Sequence, residues 1–103
     1  MNIKFCYQYR DAANYKQYNE VIFSNPNKRS LEEINNLIRK SLIDDCWFYA
    51  ESWSLPDMHF VNYKWDNELD HAWHEYNGIV YTDVTNSTGR NIEDLLIIIS
   101  ALI

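Results

Sequence analysis

Glycine, proline and cysteine are scarce in this chain, with two of each in 103 residues. The only glycines, Gly78 and Gly89, are too few and too isolated to build a glycine-rich phosphate loop or the glycine-flanked elbow of a nucleophilic serine. Cys6 and Cys46 lie far apart and match no paired metal-ligand or redox spacing. Zinc ribbons, zinc deaminases and a disulfide framework are thereby excluded as templates, and two buried free thiols are expected. So little glycine and proline also argues against a disordered or low-complexity chain, and no internal repeat is visible.

Positive charge is the next shortage: 9 Lys and Arg stand against 15 Asp and Glu, giving a net charge of −6. The basic residues form only two tight pairs, Lys28-Arg29 and Arg39-Lys40. Nucleic-acid affinity comes from clustered Lys and Arg that displace phosphate counterions, so direct nucleic-acid binding is not expected. Long apolar runs are missing as well. The longest is Leu95–Ile99, or Leu95–Ile103 across Ser100, well short of the ~20 residues that span a bilayer. Met1–Phe5 has no basic segment leading into an apolar one. The expectation is a cytoplasmic protein beginning at Met1, with no membrane partner; without a secretory setting, the Asn86-Ser87-Thr88 glycosylation triplet is read as chance.

What the chain has in abundance is aromatic side chains: four Trp, eight Tyr and four Phe. A chain of this size buries roughly 60–70% of the surface of its unfolded form, enough for one core and one domain over residues 1–103.

Patterning along the chain predicts an α+β domain of order β-β-α-β-(β)-β-α. Ile3, Phe5, Tyr7 and Tyr9 alternate with Lys4, Gln8 and Arg10, the period of a half-buried strand; a turn at 11–14 returns the chain through 15–24 as a hairpin. Asn25-Pro26-Asn27 breaks the strand, and Ser30 with Glu33 three positions on has the form of a capping box. Leu31, Ile34, Leu37, Ile38 and Leu42 then recur at helical spacing, predicting an amphipathic helix over 31–43 with acidic residues in its first turn and basic ones in its last. Cys46–Ala50 reads as a largely buried aromatic strand and 58–63 as a short one. Residues 74–83 read as another strand with an irregularity at Gly78. Asn91 caps a final helix whose run Leu95–Ile99 is apolar all round. A helix without a polar face must be buried, either in the fold or against another copy or protein; Leu95, Leu96, Ile98, Ile99 and Leu102 are the candidate oligomer contacts.

Several segments taken in order are similar to a family of short uncharacterised bacterial proteins. They are Tyr7–Ala12, Asn14-Tyr15-Lys16, Ser30–Ile34, Leu42-Ile43-Asp44, Trp47–Glu51, Leu55-Pro56-Asp57 and Asp70–Glu75. The resemblance covers about residues 3–76, implies a compact bacterial domain and brings no activity or catalytic residue with it.

Two constellations could carry function. The first gathers all three histidines, His59, His71 and His74, near Glu75. In a helix, His71 and His74 would share a face and could hold a metal for a hydrolase with Asp70 or Glu75 as a further ligand; in a strand they would point to opposite faces and the site would fail. The spacing is not the two-histidine helix of metalloproteases. Pro56-Asp57 with Lys64 likewise lacks the carboxylate of a nuclease magnesium site, because Asn62 stands there. The second constellation is the aromatic surplus. Trp53, Trp65 and Trp73 lie beside polar residues, and with Asp66, Glu68 and Asp70 they are the candidate contacts for a protein partner, a basic one given the net charge. No catalytic residue and no cofactor is assigned. The favoured expectation is an acidic protein-binding module acting as an inhibitor or antitoxin-like regulator of a nucleic-acid-processing protein.

Overall fold

A computed structural model describes residues 1–10, 15–56, 73–86 and 89–101. β1 (Asn2–Arg10) and β2 (Lys16–Phe23) form the expected hairpin, with Ile3 opposite Phe23 and Arg10 opposite Lys16. α1 (Leu31–Lys40) follows, then β3 (Trp47–Tyr49), a 3₁₀ turn at Glu51–Trp53, β4 (Trp73–Thr82) and α2 (Ile92–Ser100). The four strands make one antiparallel sheet in the order β2-β1-β4-β3. The expected strand over 58–63 lies outside the described residues.

The irregularity expected at Gly78 is a β-bulge. Cys6 pairs with Gly78 but Tyr7 pairs with Tyr76, so Asn77 is the extra residue, and Gly78 takes φ +104, which glycine reaches without a side-chain clash. The extra residue restores the alternation, placing both Ile79 and Tyr76 on the face of Phe5 and Tyr7.

That face carries the core. Ile3, Phe5, Tyr7 and Tyr9 are fully buried, as are Ile34 and Ile38 of α1. Phe5 lies at the centre of the aromatic packing, its ring 5.3–6.5 Å from those of Tyr7, Phe23, Phe48, Trp53 and Tyr76. Such tilted and edge-on pairs contribute about 0.5–1.5 kcal/mol each beyond the area they bury. Tyr76 ties the sheet to α1 by donating its hydroxyl to Asn35 Oδ1 at 2.7 Å. Burial pushes that hydroxyl's pKa up to about 12.

The helix ends follow their sequence signals. Ser30 Oγ accepts from the Glu33 amide at 3.1 Å, and Asn91 Oδ1 from the Glu93 amide at 2.9 Å. The Glu33 carboxylate turns to Arg29, whose guanidinium also binds Glu93 of α2 at 2.6 and 2.9 Å. The Arg29 bonds hold the Glu93 carboxyl below its ordinary range, and they join the starts of the two helices. α1 stops at Lys40 rather than 43, because Ile43 is drawn away to pair with Trp47 through both of its backbone groups, at 2.7 and 2.9 Å.

α2 corrects the assembly expectation. Ile92, Leu95, Leu96 and Ile99, spaced i, i+3, i+4, i+7, are buried in the same core as α1 and the sheet. Leu95, Leu96 and Ile99 are therefore core residues, not oligomer contacts; Ile98 is half-buried, Ile97 faces out, and Leu102 lies outside the described residues. Among the described residues no helix is long and apolar enough to cross a membrane.

Candidate protein-binding face

Strand alternation dictates what stands on the second face of the sheet, the one turned away from both helices. The registers lay it out in rows. At one end Arg10 stands beside Lys16, and Trp73 beside Tyr49; the next row, Tyr18, Gln8, Glu75 and Trp47, runs across β2, β1, β4 and β3. Cys6 and Glu20 follow, then Lys4, Ile22 and Val80.

The β3 side of these rows is an aromatic cluster. The Trp47 and Trp73 rings lie 5.8 Å apart at 35°, and Tyr49 meets Trp73 edge-on at 6.4 Å. The Trp73 indole N–H donates to the Tyr49 hydroxyl, fixing both rings. Trp73 keeps 39% of its surface exposed and Tyr49 41%. Beside the cluster Glu75 accepts from Gln8 Nε2 at 2.7 Å and from Arg10 Nη2 at 3.2 Å, and the Asn77 amide donates to Gln8 Oε1 at 3.1 Å. The Arg10 guanidinium is thus held at the aromatic edge. Further along, Lys4 pairs with Glu20 at 3.6 Å. Burial pushes the Cys6 thiol up, so it stays protonated at neutral pH and offers no nucleophile here.

A tight turn leads into the cluster. Ile43 accepts from the Cys46 amide at 3.1 Å, and the two central residues, Asp44 and Asp45, take φ +52 and +59. Those signs belong to a type I′ turn, where Asn-Gly is the pair of least strain. Arg39 reaches Asp45 at 3.1 Å.

The sequence-predicted site residues fare differently. Trp73 stands on this face. Trp53, expected at a loop surface, is 2% exposed: the 3₁₀ turn folds it beneath the sheet, where it stacks on Phe48 at 4.5 Å and 29°, so it is a core residue. Trp65, Asp66, Glu68 and Asp70 lie outside the described residues, as do His59 and His71. His74 and Glu75 are consecutive strand residues and point to opposite faces, so they cannot ligate one ion together. His74 is fully buried, its ring 5.2–6.0 Å from those of Tyr9, Tyr7 and Phe48. Among the described residues no group of His, Cys, Asp and Glu side chains is arranged to hold a metal. Cys6 and Cys46 are free thiols, as expected, but both are half-buried rather than buried.

Trp47, Tyr49, Arg10 and Gln8 also stand on this face, beyond the residues that the sequence pattern singled out. Their signal lay in the register, since Arg10 and Gln8 already alternate to the outside of the first strand. No protein-family model, curated protein or solved structure matches the chain.

Proposed function

We propose that this protein is a small acidic protein-binding module whose contact surface is the helix-free face of its sheet. One observation carries the reading: Trp47, Tyr49 and Trp73 are held as an ordered, part-exposed cluster beside an Arg10 fixed by Glu75. Trp, Tyr and Arg are the residue types that dominate binding energy at protein interfaces, and side chains already fixed lose little entropy on binding. The geometry supports binding rather than turnover, since Gln8, Arg10, Glu75 and Asn77, the polar groups beside the cluster, are engaged with one another. The net charge of −6 favours a basic partner, which the acidic surface would draw in from a distance. A nucleic-acid-processing protein held in check by an inhibitor or antitoxin-like regulator fits that chemistry.

The test uses Trp73→Ala and Tyr49→Ala, both at part-exposed positions. Crosslinking in native lysate should recover a basic protein with the wild-type chain. Either variant should weaken that complex about 30-fold, the effect of truncating a central aromatic anchor worth ~2 kcal/mol. If both folded variants retain the partner at wild-type affinity, this face is not the contact surface.

A further inference from the structure

β2 is an edge strand, and its outer side carries a readable pairing code. Ser24, just past its end, already bonds outward: its amide donates to the Arg90 carbonyl at 2.8 Å and its carbonyl accepts from the Ile92 amide at 2.9 Å. Backbone groups alternate along a strand, so Lys16, Tyr18, Glu20 and Ile22 also direct their N–H and C=O groups to the outer edge. Among the described residues, nothing pairs with that edge between Lys16 and Ile22. An unpaired edge of this length is a template for another strand.

We infer that the occupant is β2 of a second copy, antiparallel, with Tyr18 on the twofold axis. The charges choose the register. With Tyr18 opposite its counterpart, Lys16 faces Glu20 of the second copy and Glu20 faces Lys16, on the same face and in rungs that exchange backbone hydrogen bonds. Between these rungs, on the helix face, Gln17 meets Asn19, two side-chain amides that can bond each other. A register centred on Lys16 or on Glu20 would instead put like charges opposite each other, one centred on Gln17 would set Lys16 against Tyr18, and one centred on Asn19 would set Glu20 against Tyr18 and Lys16 against Ile22. Lys16 also gains locally, because in the protomer its cross-strand neighbour on this face is the like-charged Arg10. Pairing stops at two copies. β3, at the other edge, is only three residues long, and both outward groups of Trp47 are taken by Ile43. The product is one continuous sheet across two protomers, with their helix-free faces on the same side. Strand-edge pairing buries little area, which places this contact at the small, weak end of specific interfaces.

Sedimentation equilibrium from about 5 μM to 1 mM tests this against the protomer mass of 12.4 kDa. The wild type should move toward twice that mass. Glu20→Lys and Lys16→Glu should each raise the dissociation constant on the order of tenfold, because each turns two attractive cross-strand pairs repulsive. The double variant Lys16→Glu/Glu20→Lys should restore dimerisation, and a folding defect cannot mimic that rescue. A protomer that stays monomeric up to about 1 mM, or a dimer indifferent to both single variants, or a double variant no better than either single one, would overturn the inference. Trp73→Ala leaves dimerisation unchanged, which separates this edge from the face assigned to the partner.

Discussion

Leu95→Ala tests most sharply whether the apolar C-terminal segment belongs to the core. Leu95 is fully buried, between Ile92 and Ile99 on the inward stripe of α2. Truncating a buried leucine removes its transfer free energy and leaves a cavity, about 3 kcal/mol together. A chain of this length has a total stability of about 5–15 kcal/mol, so the variant folds but loses a large share of its margin. With a urea dependence of about 1–3 kcal/mol per molar, the unfolding midpoint should fall by about 1–3 M, and Tm by about 12–24 °C. Ile97→Ala is the matched control. Its side chain is 66% exposed and alanine is the better helix former, so its stability should stay within about 0.5 kcal/mol of the wild type. The unfolding should be followed by far-ultraviolet circular dichroism at several protein concentrations below about 10 μM. A core residue gives the same loss at each concentration, whereas an intersubunit contact gives a loss that depends on concentration. If Leu95→Ala shifts the midpoint no more than Ile97→Ala does, α2 is not packed as described.

Two further outcomes follow from the same geometry. Asp45→Gly should stabilise the protein by about 0.5–1 kcal/mol, because glycine takes the left-handed turn position without strain while the exposed pair with Arg39 contributes little; a lowered Tm would show that the pair outweighs the strain. Tyr76 holds its proton up to about pH 12, against an ordinary value of 10.0, so the folded state binds this proton where the unfolded state has released it. The sign is therefore a loss of stability as pH rises above about 10, and Tyr76→Phe should remove that part of the decline while costing about 1 kcal/mol at neutral pH through the lost bond to Asn35. Denaturation melts of the two proteins at pH 8 and 11 provide the comparison; equal slopes would mean that Tyr76 titrates alike in both states.

Legibility depended on contrast. Where apolar and polar residues alternate, as in Ile3–Arg10, both the strand and its inward face could be read, and so could the cap at Ser30 and the bulge at Gly78. Where a segment is apolar throughout, the pattern is silent about direction. Cys46–Ala50 announces a largely buried strand but not which rings face out, and only pairing with β4 brings Trp47 and Tyr49 beside Trp73. Trp53 misled for the opposite reason. Its serine neighbours, Ser52 and Ser54, suggest a surface loop, yet in a 3₁₀ turn those neighbours stay exposed while the indole turns inward. In Leu95–Ile99 all positions are apolar, so burial could not be divided between core and interface until α1 and the 3₁₀ turn were in place. His74 needed a strand-or-helix decision that its spacing from His71 could not make.

The helix-free face separates two roles that composition alone had merged. Most of its charges are paired, Lys4 with Glu20 and Arg10 with Glu75, and the exposed Glu20 carboxylate would be shared between Lys4 and Lys16 of the second copy across the β2 edge. Among the described residues, most of the acidic side chains therefore stand off this face, where they can steer a basic partner over a Debye length. On the proposed reading, contact energy would come chiefly from Trp47, Tyr49 and Trp73, with Arg10 beside them. Salt would act chiefly on how fast a partner arrives, and aromatic truncation on how fast it leaves. Joining two protomers through β2 would place two such clusters at opposite ends of one continuous sheet. A partner presenting two matching surfaces would then be held by avidity, without any one contact having to be strong.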